Sequence, residues 1–283
     1  MIKEKTPKNI FKIVFQIIIY IFALAGFILI SVYVANLYGL TNTKGMIDNQ
    51  HDYFKNATST ESAGTNLDEA WKDGQEWQVL KDAIVKETLT INKAADVAGI
   101  PPRLIVATLI VEQLRLFNSE REVFKSVFAP LKILGNQSQF SWGVMGIKQD
   151  TAIQIENNLS SSTSPWNLGT KYENALDYGA ASTDKDSERF TRLTDEHDRY
   201  YSYLYAAFAL KQTEAQWEKA GFPINNRPEI LATLFNIGFQ HSTPNANPHS
   251  GGAEIDIGNT VYSFGDLAGQ FYYSDELLNE FPR

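Results

Sequence analysis

The chain has 283 residues, with 25 lysines and arginines against 33 aspartates and glutamates, and it contains no cysteine. A disulfide framework, a thiolate metal site and a cysteine nucleophile are therefore excluded. The excess of acidic residues repels polyanions, which argues against a protein that binds nucleic acid through its phosphates. We expect no nucleic-acid partner.

Residues 13–35 form an uninterrupted run of 23 residues without a charge. A helix needs about 20 apolar residues to cross a bilayer core, whereas the apolar part of a cleavable signal has about 7–15. The run therefore predicts an uncleaved transmembrane anchor. Four lysines precede it, so the positive-inside rule predicts a cytoplasmic tail at 1–12 and an extracytoplasmic position for everything after the anchor. These lysines are Lys3, Lys5, Lys8 and Lys12.

The composition changes after the predicted anchor. Residues 36–66 are rich in Asn, Thr, Ser and Gly and have few periodic apolar positions, which is typical of a flexible tether. The exported part has 21 basic and 32 acidic residues, a formal charge of −11. Residues 67–283 suffice for one hydrophobic core, and we expect a single extracytoplasmic domain there.

The apolar spacing of this domain predicts a mostly α-helical fold with small β elements. Helical periodicity extends from Trp77 to Gly99, and a second helix begins at Pro101 and Pro102. Later helices are predicted at about 199–217, 228–237 and 264–281. Two short segments with the residue pattern of β-strands, 255–257 and 260–262, flank Gly258 and Asn259. This arrangement indicates a β-hairpin with a two-residue turn. The stretch 160–198 gives no fold prediction.

Glu112 is the anomaly of the second predicted helix, because residues 104–111 are apolar apart from Thr108. A helix that is apolar on every side lies inside the domain. A carboxylate there loses hydration and faces the negative end of the helix dipole, so the protonated acid is favoured. Such an acid suits glycosidic cleavage. The alternative is a structural ion pair with Arg115 at i, i+3, and the helix alone does not decide between the two.

Three segments carry motifs that occur together in one superfamily. Segment 101–112 has two prolines and an apolar run before Glu112. Segment 141–152 reads Ser-Trp-Gly-Val-Met-Gly-Ile-Lys-Gln-Asp-Thr-Ala, and segment 234–238 reads Leu-Phe-Asn-Ile-Gly. In this order they resemble the lysozyme-like superfamily, most nearly the lytic transglycosylases, with goose-type lysozymes beside them. The resemblance covers about residues 84–238.

The resemblance implies an α+β lysozyme-like fold, in which a helical domain carries a small β-sheet or hairpin. It also implies that Glu112 is the catalytic acid, that Met145 lines the glycan cleft, and that Asn236 hydrogen-bonds the sugar or Glu112. Gly143, in the same segment as Met145, is a further candidate for substrate binding. Gln113 follows the acid where the family usually has serine, and we include it among the candidate substrate-binding residues. Gly146 stands where the family has glutamine.

Aromatic residues supply further candidates for sugar binding. Trp142, next to the expected cleft segment, is the best candidate for stacking on a sugar ring, although aromatic residues at helical spacing usually belong to the core. Tyr272 or Tyr273 could be the late tyrosine found in some lytic transglycosylases, and we include Tyr272 among the substrate-binding candidates.

An alternative candidate site, for zinc, consists of His249 and Asp256. These residues flank a glycine-rich turn and resemble the first zinc motif of D-alanyl-D-alanine peptidases. Zinc would need a further imidazole ligand, and no histidine follows His249. The hairpin at Gly258 and Asn259 explains the turn more simply, so we expect no metal and no cofactor.

The reaction type is predicted from an absence. An inverting hydrolase needs a second carboxylate about 6.5–9.5 Å from the acid, and residues 123–149 contain no Asp or Glu. The resemblance then favours a membrane-anchored lytic transglycosylase that cleaves the MurNAc-β-1,4-GlcNAc bond of peptidoglycan strands, with Glu112 as acid and base and 1,6-anhydro products. The alternatives are a catalytically weak or inactive glycan-binding or scaffold protein of the cell envelope, and a hydrolytic muramidase.

Overall fold

The computed structural model describes residues 70–117, 141–179, 182–257 and 260–283, together with the helical positions Gln16, Tyr20 and Gly26. The chain divides into two units, Met1–Ala63 and Gly64–Arg283, and every element named below lies in the second. Apart from those three positions, the predicted anchor at 13–35 and tether at 36–66 lie outside the described residues. Among the described residues, no helix combines the length and apolarity needed to cross a bilayer.

The described part of the second unit is mostly α-helical with two small antiparallel sheets. The prediction of a mostly α-helical fold with small β elements is therefore confirmed. The helices are α1 Gln75–Lys86, α2 Thr88–Ala98, α3 Pro102–Phe117, α4 Gln149–Ser160, α5 Lys185–Thr194, α6 Tyr200–Lys219, α7 Pro228–Ile237 and α8 Phe264–Tyr273. The strands are β1 Ser141–Trp142, β2 Ile147–Lys148, β3 Glu254–Ile257 and β4 Thr260–Ser263. Strand β1 pairs with β2, and β3 pairs with β4.

The structure corrects several predicted boundaries. The helical stretch predicted from Trp77 to Gly99 is divided at Glu87 into α1 and α2. Gly99, in the left-handed conformation, ends α2 as predicted. The predicted hairpin is present, with Ile257 opposite Thr260, although its two turn residues lie outside the described residues. The uninterpreted stretch 160–198 contains α5, which is capped by the Asp184 side chain.

Helix α3 is the centre of the domain. Residues 103–112 are all buried, and α3 packs against α1, α2, α6, α7 and α8. At the side of α1 and α8, Trp71, Trp77 and Phe271 form an edge-to-face aromatic cluster with ring centroids 5.1–6.2 Å apart. The all-round apolar pattern of α3 therefore correctly predicts an internal helix.

Arg103 is the one charged residue in the first half of this internal helix, and it is fully buried. All five N–H donors of its guanidinium bind backbone carbonyl oxygens, at 2.7–3.0 Å. The acceptors belong to Phe271, Tyr272, Ser274, Glu276 and Phe281. Arg103 thus joins α3 to the end of α8 and to the C-terminal segment. Helix α8 ends at Tyr273 rather than continuing to 281 as predicted, because Arg103 binds the carbonyl groups at its end.

Helices α7 and α8 approach unusually closely. A Cβ atom at Gly265 of α8 would lie 2.1 Å from Thr233 Oγ1 and 2.5 Å from the carbonyl oxygen of Glu229, both on α7. One turn later, a Cβ atom at Gly269 would lie 3.1 Å from Glu229 Cβ. The glycine pair therefore lets the two backbones pack without intervening side chains.

A buried polar network joins the 160–198 stretch to the rest of the domain. Arg189 of α5 donates from Nε and Nη2 to the two carboxylate oxygens of Glu156 in α4, at 2.7 and 2.8 Å. Tyr178 and Tyr205 each donate to Glu156 Oε1 at 2.6 Å. Burial by itself would raise the pKa of Glu156, but these hydrogen bonds lower it below its usual value. Burial and the contact with Glu156 raise the pKa of Tyr178 to about 12.

These two pKa shifts predict that the stability of the fold decreases at both low and high pH. The lowered pKa of Glu156 stabilises the fold above the unfolded value of about 4.3, and this contribution is lost as the pH falls through the folded pKa. The raised pKa of Tyr178 stabilises the fold below about pH 10, and this contribution is lost as the pH rises towards about 12. We expect the melting-temperature difference between wild type and Tyr178→Phe to be constant from neutral pH to about pH 9 and to narrow above pH 10. A difference that stays constant up to the highest pH would contradict the assignment.

Candidate functional site

The candidate site is formed where α3 meets the turn between β1 and β2. The side chain of Glu112 is 3% exposed and faces this turn. A Cβ atom at Gly146 would lie 2.0 Å from Glu112 Oε1 and 2.6 Å from Glu112 Cδ. Gly146 has φ +60°, a conformation that glycine adopts without strain. The carboxylate therefore occupies the space where any other residue at position 146 would place its side chain.

Arg115 is the charged partner of Glu112. Its Nη2 lies 2.5 Å from Glu112 Oε1, one helical turn along α3. The structure therefore contains the ion pair that the i, i+3 spacing allowed. A charge-assisted hydrogen bond of this kind holds the Glu112 side chain in one position beside the turn.

Gln113 connects α3 to the turn. Its Nε2 donates to the carbonyl oxygen of Val144 at 2.5 Å. The amide donor of this predicted substrate-binding residue is therefore engaged within the protein, where it holds the turn against the helix that carries Glu112.

The far side of the turn packs against the 160–198 stretch. A Cβ atom at Gly143 would lie 1.9 Å from the carbonyl oxygen of Leu193 in α5 and 2.9 Å from Ser202 Oγ in α6. Gly143 has φ +64°, so both its conformation and its surroundings require glycine. Its place in the predicted cleft segment is thus explained by packing of the backbone.

Trp142 and Met145, which were predicted to contact sugar, are buried in the core. The Trp142 side chain is 3% exposed and packs edge-to-face against Phe190 of α5, with ring centroids 5.2 Å apart. Met145 is fully buried. A sugar ring cannot stack on Trp142 in this structure, because Phe190 and the surrounding core cover the indole.

Asn236 stands at the end of α7 and is half-buried. Its Oδ1 accepts a hydrogen bond from the Ala253 N–H at 2.9 Å, and Gly252, with φ +94°, passes beside it. The described residues provide no acceptor for its Nδ2 donor. Asn236 thus holds the loop before β3 through its Oδ1, and both N–H donors of its Nδ2 lack an acceptor among the described residues.

Tyr272 lies away from Glu112. Its carbonyl oxygen accepts a hydrogen bond from Arg103, and the guanidinium lies 5.9 Å from its ring centroid. Arg103 precedes Glu112 by nine residues, about 13 Å along a helix axis. The structure therefore does not bring Tyr272 and Glu112 together, and packing around Arg103 explains the position of this tyrosine.

The zinc interpretation finds no support in the described residues. His249 is exposed, and Asp256 lies on the exposed face of β3. Within the described part of the chain, no group of three or more His, Cys, Asp or Glu residues is placed to hold a metal ion.

Comparisons with known proteins do not extend the assignment. No protein-family model, no curated protein and no solved structure matches the chain. The resemblance to the lysozyme-like superfamily therefore rests on the three sequence segments that carry it.

The fit between Gly146 and Glu112 predicts the outcome of Gly146→Ala. The added methyl group would force the carboxylate from its position, and a displacement of about 1 Å in a catalytic site can cost 10²-fold in rate. We expect at least that loss in any glycan cleavage that depends on Glu112. Gly221→Ala is the matched control, because Gly221 also has a positive φ but nothing within 4 Å of its Cβ position. Equal activity of the two variants would show that the fit has no catalytic role.

Proposed function

We propose that the domain cleaves the glycan strands of peptidoglycan as a lytic transglycosylase, with Glu112 as its single acid and base. The supporting observation is the position of Glu112, buried between α3 and the glycine turn of a two-stranded sheet. The resemblance implies a catalytic acid on a helix next to a small sheet, so this arrangement favours the proposal. The predicted anchor at 13–35 would tether the domain outside the cytoplasm, where peptidoglycan lies.

The proposed reaction has two proton transfers. Glu112, as the acid, gives its proton to the glycosidic oxygen while the bond from that oxygen to the anomeric carbon breaks. The substrate's own acetamido group steadies the cationic centre. The C6 hydroxyl of the muramoyl ring then attacks the anomeric carbon, and its proton passes to the Glu112 carboxylate. Glu112 is thereby restored, and the product is a 1,6-anhydro ring.

Arg115 takes part in this scheme through its hydrogen bond to Glu112. When Glu112 gives up its proton, the new carboxylate has a charged donor 2.5 Å away, and such hydrogen bonds are stronger than neutral ones. Asn236 is the candidate sugar ligand, because its side chain is half-buried and its Nδ2 donor is not used within the described residues.

A second candidate function is glycan binding without cleavage. The Glu112–Arg115 pair favours it, since a buried carboxylate held by an arginine can serve structure alone. The glycine at position 146, where the resembled family has glutamine, favours it as well. Such a protein would bind or organise cell-envelope glycan without breaking it.

One assay separates the two functions. The full-length protein is incubated with purified peptidoglycan sacculi, and both the protein bound to the pellet and the soluble fragments released are measured. The transglycosylase proposal expects binding with progressive release of fragments. Binding without release would favour the scaffold function, and absence of both would contradict any role on this substrate.

A further inference from the structure

Gln113 links helix α3 to the turn that receives the Glu112 side chain. The turn begins at Gly143 and is closed by a hydrogen bond from the Gly146 N–H to the Gly143 carbonyl oxygen, at 3.2 Å. In the middle of this turn, the Val144 carbonyl oxygen accepts a hydrogen bond from Gln113 Nε2 at 2.5 Å. The Glu112 carboxylate packs against Gly146, two residues further along. Two consecutive residues of α3 therefore contact the same turn, one through a hydrogen bond and the other through close packing.

The turn is also fixed on its other side, by α5. Gly143 lies so close to α5 that an added Cβ atom would be 1.9 Å from the Leu193 carbonyl oxygen. Trp142, just before the turn, packs edge-to-face against Phe190 of the same helix. These contacts join the turn to α5, whereas the Gln113 hydrogen bond joins it to α3. The turn is thus held between the two helices.

The distance between the turn and α3 decides where the Glu112 carboxylate lies. Glu112 Oε1 is only 2.0 Å from the point that a Cβ atom at Gly146 would occupy. Arg115 also holds this carboxylate, but it belongs to the same helix, so their ion pair does not fix the carboxylate relative to the turn. The Gln113 hydrogen bond does so, because it joins the next residue of α3 to the backbone of the turn. In a catalytic site, a displacement of about 1 Å can cost 10²-fold in rate.

We propose that Gln113 is a positioning residue for glycan cleavage, whose hydrogen bond to Val144 sets the distance between the turn and the Glu112 carboxylate. This inference rests on the proposed function. Gln113 then acts through the fit between Gly146 and Glu112 rather than through a contact with the sugar. Its loss should slow the proton transfers of Glu112 and leave binding of the glycan almost unchanged.

The test measures fragment release by the full-length protein over a range of sacculus concentrations. Gln113→Met removes the amide donor and keeps the length of the side chain. We expect the rate at saturation to fall roughly 10- to 100-fold, while the half-saturating concentration changes less than about threefold, since an interaction that acts on the chemical step alone leaves binding intact. Gln216→Met is the matched control, because half-buried Gln216 also donates from Nε2 to a backbone carbonyl, that of Ser242, at 3.0 Å. It should cleave like the wild type.

Two results of these measurements would overturn the inference. A raised half-saturating concentration with an unchanged rate at saturation would show that Gln113 binds the substrate. Equal losses in the Gln113 and Gln216 variants would show a general effect on the fold. Gln113→Glu repeats the measurements if the methionine variant does not fold, because an ionised carboxylate has no donor for the Val144 carbonyl.

A double-mutant cycle with Gly146→Ala tests whether Gln113 acts through the turn. If both variants disturb the same contact with Glu112, the double variant should lose less activity than the product of the two single losses. Losses that multiply would contradict the inference. If the wild type cleaves sacculi and Gln113→Met cleaves them equally fast, the inference fails and the proposed function stands. A wild type that releases no fragments would contradict both.

Discussion

Glu112→Gln is expected to reduce release of glycan fragments from sacculi by about 10²- to 10⁴-fold, the usual contribution of general acid–base catalysis. Glutamine cannot give a proton to the glycosidic oxygen, and it cannot accept one from the C6 hydroxyl. It retains the size of the side chain and an oxygen that can accept the hydrogen bond from Arg115 Nη2. The melting temperature should therefore change much less than the activity.

Glu214→Gln is the matched control for this variant. Glu214 also forms a salt bridge at i, i+3, with Lys211 in α6, and its side chain is 15% exposed. The control variant loses one helical ion pair and should cleave sacculi like the wild type. Undiminished cleavage by Glu112→Gln, or equal losses in the two variants, would refute the assignment of Glu112.

Arg103→Met is expected to cause the largest loss of stability, at least about 3 kcal/mol in the free energy of unfolding. Methionine fills much of the volume but leaves five buried carbonyl groups without their donor, and each hydrogen bond to a charged group contributes about 1.5–3 kcal/mol. Arg227→Met is the control, because Arg227 is 47% exposed and pairs with Glu229 at the surface, where ion pairs contribute about 0–1 kcal/mol.

Urea denaturation of both variants measures the difference. If Arg103 joins the C-terminal segment to α3 as the structure shows, proteolysis should also remove residues after 273 faster in Arg103→Met than in wild type. Similar stability of the two arginine variants would contradict this role of Arg103.

Helices could be predicted from the sequence where apolar residues recur along the whole length of the helix. Helix α3 is apolar on every side, and the structure places it at the centre. Helix α5 could not be predicted, because Phe190 and Leu193 are its only apolar residues and its ends depend on the Asp184 cap and on Arg189. The length of α8 was overestimated because the arginine that binds its last carbonyl groups lies far away in the sequence.

The same limits apply to the candidate site. The anomaly of Glu112 and its possible partner Arg115 can be read from one helix, and the structure contains that ion pair. The burial of Trp142 depends on Phe190 of α5, which no sequence pattern placed near β1. The fit between Gly146 and the Glu112 carboxylate depends on the packing of the β1–β2 turn against α3, and no sequence pattern indicates that packing.

Mass spectrometry of the soluble products released from sacculi by the full-length protein tests the proposed transglycosylase reaction most directly. A single acid and base, which the lack of Asp and Glu in residues 123–149 favours, predicts muropeptides that end in 1,6-anhydro-muramoyl rings, lighter by one water than the hydrolytic products. Their formation should be lost in Glu112→Gln and retained in Glu214→Gln. Muropeptides with a reducing muramic acid end as the main product would contradict the account and make the protein a hydrolase.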